Sequence, residues 1–174
     1  PPIPPPQCAS DGQPLGDSSV ISHYQMENGN DSVGSHNLYV SSVSFGWTGK
    51  FNNSGRYYGN SSYWTRAPFG LTIATFTSPY SISFWAKHTT GAGNDQLMCH
   101  FQDERATNNH YTYLEVGLNR ATNKYRFTAR TNSAASLYAI ETGTIVDDVW
   151  EMFTVSVASN NTSFYHNGNL VGSA

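Results

Sequence analysis

The 174-residue chain has little charge, few cysteines and no long apolar run. Charged residues make up 12% of it, against roughly 25% in an average soluble domain, and the formal net charge is −3. A weakly acidic chain gives no electrostatic attraction for nucleic acid, so no nucleic-acid partner is expected. No apolar stretch approaches the ~18 residues that a membrane-spanning helix needs, so membrane insertion is not expected either.

The chain contains 2 cysteines, Cys8 and Cys99. In QLMCHFQ, the strand period predicts that Leu97, Cys99 and Phe101 share one face, where Cys99 would be a buried thiol acting as a small hydrophobe. A Cys8–Cys99 disulfide in an oxidising compartment is the alternative. Two cysteines fix no disulfide framework, so both interpretations stay open.

Helical periodicity is also missing, since no window of helical length carries an apolar stripe. Instead, apolar and polar residues alternate in short segments, which predicts strands with one face in a core. The clearest are SISFWAK (81–87), YTYLEVGL (111–118), KYRFTAR (124–130) and WEMFTVSV (150–157). Clusters of Asn, Gly and Ser separate them, and many short strands with frequent turns predict an all-β sandwich or barrel.

The two ends of the sequence suggest one module of a larger polypeptide. The start, PPIPPPQ, favours polyproline II, so residues 1–10 are predicted to be a Pro-rich linker and 11–174 a single domain. Near the end, Asn167-Gly168 predicts a type I′ hairpin. Its return strand is short, so we expect the sandwich to lack its last strands, supplied by a continuing chain or a neighbouring subunit.

Four segments, in this order, resemble the laminin-G-like (concanavalin A-like) jelly-roll family. They are ISHYQMENGNDSVGSHN, GKFNNSGRYYGNSSYW, SISFWAK, and WEMFTVSV followed by FYHNGNLVGS. The resemblance implies a two-sheet antiparallel jelly-roll sandwich, and Phe84, Phe127 and Phe153 are suitable fillers of its core. It also implies that Trp85 and Trp150 occupy structural positions under loops. Members bind glycans, bind proteins, hydrolyse polysaccharides or space other domains, so function must be argued from sites.

Catalytic carboxylates are not apparent. Glucanases of this fold need acid and nucleophile on the same face of a strand, at roughly 5 Å separation. Asp103-Glu104 and Asp147-Asp148 are adjacent pairs that would point to opposite faces, and Glu115 is alone on its strand. The 6 histidines show no metal-ligand spacing. The sequence therefore predicts that the protein is not an enzyme.

One loop concentrates oxygen ligands of the kind that calcium prefers. Glu27, Asn30 and Asp31 are candidate ligands of a structural calcium ion, and no other cofactor is predicted. The spacing is not that of an EF-hand. The alternative is that Asp31 and its neighbours fold the loop by side-chain-to-backbone hydrogen bonds.

Four aromatic side chains are candidate sugar-stacking residues, because Trp and Tyr bind the apolar faces of sugar rings. Trp47 and Trp64 lie near predicted turns, and Tyr111 and Tyr113 share the face of their predicted strand that is opposite the core. The alternative for each is ordinary packing.

Basic residues line one face of the segment 124–130. Arg126 and Arg130, with Lys124, could dock an anionic glycan. The alternative is a solvated sheet face paired with Glu115 or Glu141.

Together these features predict a non-catalytic recognition or adhesion module that is extracellular, at a cell surface or on a virion. Its expected partners are a glycan or cell-surface polymer and neighbouring domains or subunits of a larger assembly. The rival hypothesis is a structural spacer or decoration module in a filament, fibre or capsid. Exposure of the candidate aromatic side chains would favour recognition, and their burial would favour the structural role.

Overall fold

The computed structural model describes residues 22–34, 36–57, 64–66, 79–89, 96–102, 113–130, 137–158 and 161–173. The described regular structure is all β-strand, and this part of the chain contains no helix that could span a membrane. The chain divides into two compact units, Pro1–Gly70 and Leu71–Ala174. The predicted linker, residues 1–10, lies outside the described residues, and the single domain from 11 to 174 stays a prediction.

Twelve strands occur among these residues. In chain order they are β1 (Tyr39–Ser41), β2 (Ser44–Thr48), β3 (Asn53–Arg56), β4 (Trp64–Arg66), β5 (Tyr80–Ala86), β6 (Gln96–Gln102), β7 (Tyr113–Asn119), β8 (Lys124–Arg130), β9 (Leu137–Thr142), β10 (Glu151–Ala158), β11 (Asn161–His166) and β12 (Asn169–Ser173).

The first unit contains two small antiparallel sheets. Strand β1 pairs with β4, and β2 pairs with β3 in a hairpin. One face of the hairpin packs locally, because Gly55 lies against Met26, Val43 and Phe45. Residues on the other face of the hairpin are therefore the ones available for a ligand.

The described residues of the second unit form two four-stranded antiparallel sheets. The β5 sheet has the order β12-β11-β10-β5, and the β8 sheet has the order β6-β7-β8-β9. Their apolar faces meet, since Phe127 of the β8 sheet lies 5.4 Å from Phe164 and 6.2 Å from Phe153 of the β5 sheet. The predicted all-β antiparallel sandwich is confirmed.

The alternation in the sequence identified the core correctly. The described core residues of the β8 sheet include Leu114, Val116 and Phe127, and Phe153 is stacked on Phe84 at 5.5 Å within the β5 sheet. Burying each such large side chain contributes about 1.5–3 kcal/mol. The prediction that Phe84, Phe127 and Phe153 fill the core is confirmed.

The predicted type I′ hairpin joins β11 and β12. Asn167 and Gly168 have φ angles of 49° and 80°, as both central residues of this turn require. The Asn167 side-chain oxygen also accepts a 2.9 Å hydrogen bond from the N–H of Met152, which ties the turn to β10. This prediction is confirmed.

Strand β6 contains a bulge that the sequence did not predict. An irregularity between Leu97 and Cys99 adds one residue, so the backbone of Cys99 lies opposite Val116 and that of Leu97 opposite Gly117. The shared face of Leu97, Cys99 and Phe101 stays a prediction, because their side chains lie outside the description. The inserted residue, Met98, packs partly buried against the core.

Candidate functional site

The β2–β3 hairpin presents an exposed tryptophan. Trp47 lies opposite Ser54 in the register, and the Ser54 hydroxyl donates a 3.2 Å hydrogen bond to the Trp47 carbonyl oxygen. This fixes the backbone beneath the indole ring. The ring itself stays accessible, because Trp47 is 43% exposed.

A cation lies on the Trp47 ring. The guanidinium carbon of Arg56 is 4.3 Å from the ring centroid, within the range of a cation–π interaction. The segment 43–57 also contains Lys50 but no Asp or Glu, and the aromatic rings of Phe51 and Tyr57 are exposed. Such a hairpin can stack on the apolar face of a sugar ring and can attract a carboxylate or sulfate group.

The other predicted aromatic contacts are only partly described. Trp64 is the first residue of β4 and Tyr113 the first of β7, but their side chains lie outside the description. Tyr111 lies outside the described residues altogether. The ligand roles of all three stay predictions.

The predicted basic stripe lies on the outer face of β8. Arg126 is exposed and lies directly across from Glu141 of β9. Hydrogen bonds from Asn119 and Thr122 are the main cause that lowers the pKa of Glu141, and the charge of Arg126 contributes to the same shift. This pairing favours the solvated-face interpretation for Arg126. Arg130, opposite Tyr113 at the end of β8, stays a predicted ligand residue.

The predicted calcium loop is organised by Asp31, whose side chain has no solvent exposure. Its Oδ1 accepts hydrogen bonds from the backbone N–H groups of His23 (2.9 Å), Val33 (3.1 Å) and Gly34 (3.0 Å). Its Oδ2 accepts one from the N–H of His36 at 3.2 Å. The carboxylate therefore folds the loop, as the alternative interpretation proposed.

Hydrogen bonds and burial act in opposite directions on the pKa of this carboxyl group. Burial alone would raise the pKa of Asp31, but hydrogen bonds from His23, Gly34 and Val33 and from the Ser22 hydroxyl lower it well below its usual range. Asp31 is therefore an anion at neutral pH.

The two other predicted calcium ligands lie in the same loop. The Asn30 backbone N–H donates to the Asn28 side chain at 2.8 Å, and Glu27 is half-buried. In the described part of the chain, no group of three or more His, Cys, Asp and Glu residues could hold a metal ion. Calcium bound by Glu27, Asn30 and Asp31 stays a prediction.

Only one of the two cysteines in the predicted disulfide lies among the described residues. Cys99 lies on β6 in register with Val116, whereas Cys8 lies outside the described residues. The pairing of these two residues stays a prediction.

A buried polar cluster in the second unit had no counterpart in the predictions. Glu151 is on the core side of β10, and its Oε2 accepts a hydrogen bond from the hydroxyl of Tyr125 in the β8 sheet. Its Oε1 lies 2.8 Å from Nε2 of His166 in β11. The Tyr125 oxygen also accepts a 3.2 Å bond from the N–H of Val146. The cluster links the two sheets.

A second ionic group lies next to this cluster. Asp147 Oδ1 is 2.9 Å from Nη2 of Arg120 and 3.3 Å from Nε2 of the buried His88. Burial, and then the charge of Arg120, lower the pKa of His88, so this imidazole is neutral at pH 7.

Trp85 is the residue that the resemblance placed wrongly. It was expected under a loop, but its side chain is on the outer face of β5 and is 38% exposed. The alternation in SISFWAK already placed it beside Ser81 and Ser83, away from the core. Trp150 is half-buried, with Nζ of Lys87 5.6 Å from its ring centroid.

One family model matches residues 58–174, and its description is the concanavalin A-like lectin/glucanases superfamily. No curated protein matched the chain. The matched range includes the whole Leu71–Ala174 unit and agrees with its all-strand architecture. Such a match supports a generic binding module, and domains of this type are usually non-catalytic, although some superfamily members are glycosidases.

Proposed function

The chain belongs to the concanavalin A-like lectin/glucanases superfamily, and we propose that it is a non-catalytic recognition module that binds a glycan. We place it outside the cell, at a cell surface or on a virus particle, within a larger assembly. The observation that carries the proposal is the exposed Trp47 with Arg56 on its ring.

The chemistry of the hairpin supports carbohydrate as the ligand. An exposed indole offers a flat apolar surface that matches the C–H face of a sugar ring. Arg56 and Lys50, in a segment without carboxylates, add donors that suit acidic sugars. The exposure of both Trp47 and Phe51 supports recognition rather than a spacer role.

This proposed site depends on the chain's own residues rather than on family membership. The hairpin residues, 43–57, precede the matched range, which starts at residue 58. Family membership therefore supplies the binding-module class, and the hairpin supplies the ligand chemistry.

A glycan array with neutral and acidic oligosaccharides tests the proposal, followed by calorimetry on the strongest ligand. Trp47→Ala is expected to weaken binding at least tenfold, about 1.4 kcal/mol, because the stacking surface is lost. Arg56→Ala is expected to weaken acidic ligands more than neutral ones.

Tyr39→Ala is the matched control, since Tyr39 is a 62% exposed aromatic residue of the same unit outside the hairpin. It should bind like the unaltered protein. An array without any binding would contradict the proposal and favour the spacer. Unchanged affinity for the glycan in Trp47→Ala would show that the glycan binds outside the hairpin.

A further inference from the structure

The chain contains two Asn-Gly pairs, Asn28-Gly29 and Asn167-Gly168. An asparagine followed by glycine can lose its side-chain amide without an enzyme, because glycine has no Cβ to keep its backbone nitrogen away from the asparagine side chain. The sequence makes the two pairs equivalent, and both asparagines are exposed to solvent. Their hydrogen bonds distinguish them.

The reaction begins when the backbone nitrogen of the glycine attacks Cγ of the asparagine. A C–N bond forms and closes a succinimide ring, the Cγ–Nδ2 bond breaks, and Nδ2 leaves as ammonia with the proton that the glycine N–H gives up. Water then opens the ring at either of its two carbonyl carbons, which leaves aspartate or isoaspartate. Its rate depends on how easily Cγ can reach the next backbone nitrogen, which is a question of proximity and orientation.

The Asn28 side chain is folded over its own following peptide group. Its Oδ1 accepts a 2.8 Å hydrogen bond from the N–H of Asn30, two residues further along the chain. A side-chain bond of this kind forms an Asx turn, which keeps Cγ close to the peptide group in between. That peptide group contains the Gly29 nitrogen, so Cγ of Asn28 is held close to the atom that attacks it.

Two further features favour reaction at Asn28. Negative charge develops on Oδ1 during the attack, and the N–H of Asn30 donates to that oxygen and stabilises the charge. Asn28 also lies in a bend outside the strands. Its side chain can therefore turn towards the Gly29 nitrogen without disturbing a strand pairing.

The Asn167 side chain is held by a different strand. Its Oδ1 accepts a 2.9 Å hydrogen bond from the N–H of Met152, and its own N–H donates a 2.8 Å bond to the Met152 carbonyl oxygen. Its Nδ2 lies 3.4 Å from Oε1 of Glu151. The side chain extends towards β10 and must give up these bonds before Cγ can approach the Gly168 nitrogen.

The turn itself adds a second restraint on Asn167. Asn167 and Gly168 have φ angles of 49° and 80°, which the type I′ turn between β11 and β12 requires. Rotation of the Asn167 backbone to close a succinimide ring would take the turn out of this conformation. The turn therefore resists a reaction that the bend at Asn28 allows.

We propose that Asn28 is a site of spontaneous deamidation in the folded protein and that Asn167 is protected from the same reaction. The inference does not depend on the proposed glycan binding. Isoaspartate at position 28 would add a methylene group to the main chain and displace the Gly29 carbonyl oxygen, which accepts a 2.7 Å hydrogen bond from the N–H of Leu38. Deamidation is therefore expected to weaken the contact just before β1.

Incubation of the full chain at pH 8 and 37 °C, followed by peptide mapping with mass spectrometry, tests the inference. The mass change reports the exchange of an amide for a carboxyl group, and chromatography separates aspartate from isoaspartate peptides. Asn28 is expected to convert at least tenfold faster than Asn167 in the folded chain. In urea the two should convert at similar rates, because the hydrogen bonds that distinguish them are absent.

Asn28→Ser is the matched control, because its hydroxyl can still accept the Asn30 N–H bond but it has no amide to lose. Amide hydrogen exchange at Leu38 gives a second readout. In the unaltered protein, protection at Leu38 should fall as isoaspartate accumulates. In Asn28→Ser it should stay constant over the same incubation, and an equal fall in both proteins would contradict the expected consequence of deamidation.

Three results would overturn the inference. The first is that Asn167 converts as fast as Asn28, or faster, in the folded protein. The second is that neither asparagine converts in the folded protein although both convert in urea. The third is that the difference between Asn28 and Asn167 persists in urea, because the neighbours in sequence rather than the fold would then set the rates.

Discussion

Replacing Glu151 by alanine is expected to lower the free energy of unfolding by about 3–5 kcal/mol. The Glu151 side chain is 6% exposed, and it accepts from the hydroxyl of Tyr125 and lies 2.8 Å from Nε2 of His166. Removing the carboxylate leaves the fully buried Tyr125 hydroxyl and the half-buried His166 imidazole without this partner. Each such unsatisfied group costs about 1–3 kcal/mol, and the link between the two sheets is lost as well.

Urea unfolding followed by circular dichroism measures this change. Glu141→Ala is the matched control, because Glu141 also accepts side-chain hydrogen bonds, from Asn119 and Thr122, but does so in solvent. Glu141→Ala should lower the free energy of unfolding far less than Glu151→Ala. Glu151→Gln keeps one acceptor and the side-chain shape, so it should fall between the two. If Glu151→Ala and Glu141→Ala lowered the free energy of unfolding equally, burial would not make the hydrogen bonds of the Glu151 cluster more stabilising than exposed ones.

Local patterns predicted the features of the fold that depend on neighbours in sequence. The alternation in 150–157 put Phe153 and Val155 on the core side, and Asn167-Gly168 predicted the turn, because each signal lies within a few residues. The bulge between Leu97 and Cys99, which breaks strict alternation in β6, was not predicted. Nothing in QLMCHFQ marks Met98 as the inserted residue.

The polar cluster around Glu151 could not be predicted in the same way. The partners of Glu151 lie 26 residues before it, at Tyr125, and 15 residues after it, at His166, so no short motif joins them. The register of four strands likewise brings Ser81, Ser156, Ser163 and Ser173 opposite one another, and no short motif encodes it. The exposure of Trp85 could have been predicted, because the alternation in SISFWAK puts it on the polar face of β5. The family resemblance favoured burial instead.

Alanine in place of Asp31 is expected to open the loop between residues 22 and 38. The side chain accepts four backbone N–H bonds, of which those from Val33 and Gly34 are exposed and those from His23 and His36 are half-buried. A hydrogen bond of this kind contributes about 0.5–1.5 kcal/mol, or about 1.5–3 kcal/mol when one group is charged, so the loss of all four outweighs the stability of a short loop. Amide hydrogen exchange should show protection at Val33, Gly34 and His36 falling at least tenfold, which corresponds to about 1.4 kcal/mol. Asn28→Ala is the matched control, because it removes one exposed bond of the same loop and should change protection little.

The same carboxylate predicts a dependence on acid. Since the pKa of Asp31 is lower in the folded chain than the unfolded value of about 3.9, its contribution is fully present above that value and is lost as the pH falls towards the folded pKa. Protection factors at Val33 and Gly34 should therefore decrease below about pH 4 in the unaltered protein. In Asp31→Asn, which cannot titrate, the protection should already be reduced at neutral pH and should not fall further through Asp31. Protection that is equal in both proteins from pH 3 to pH 7 would show that the loop is held by other contacts.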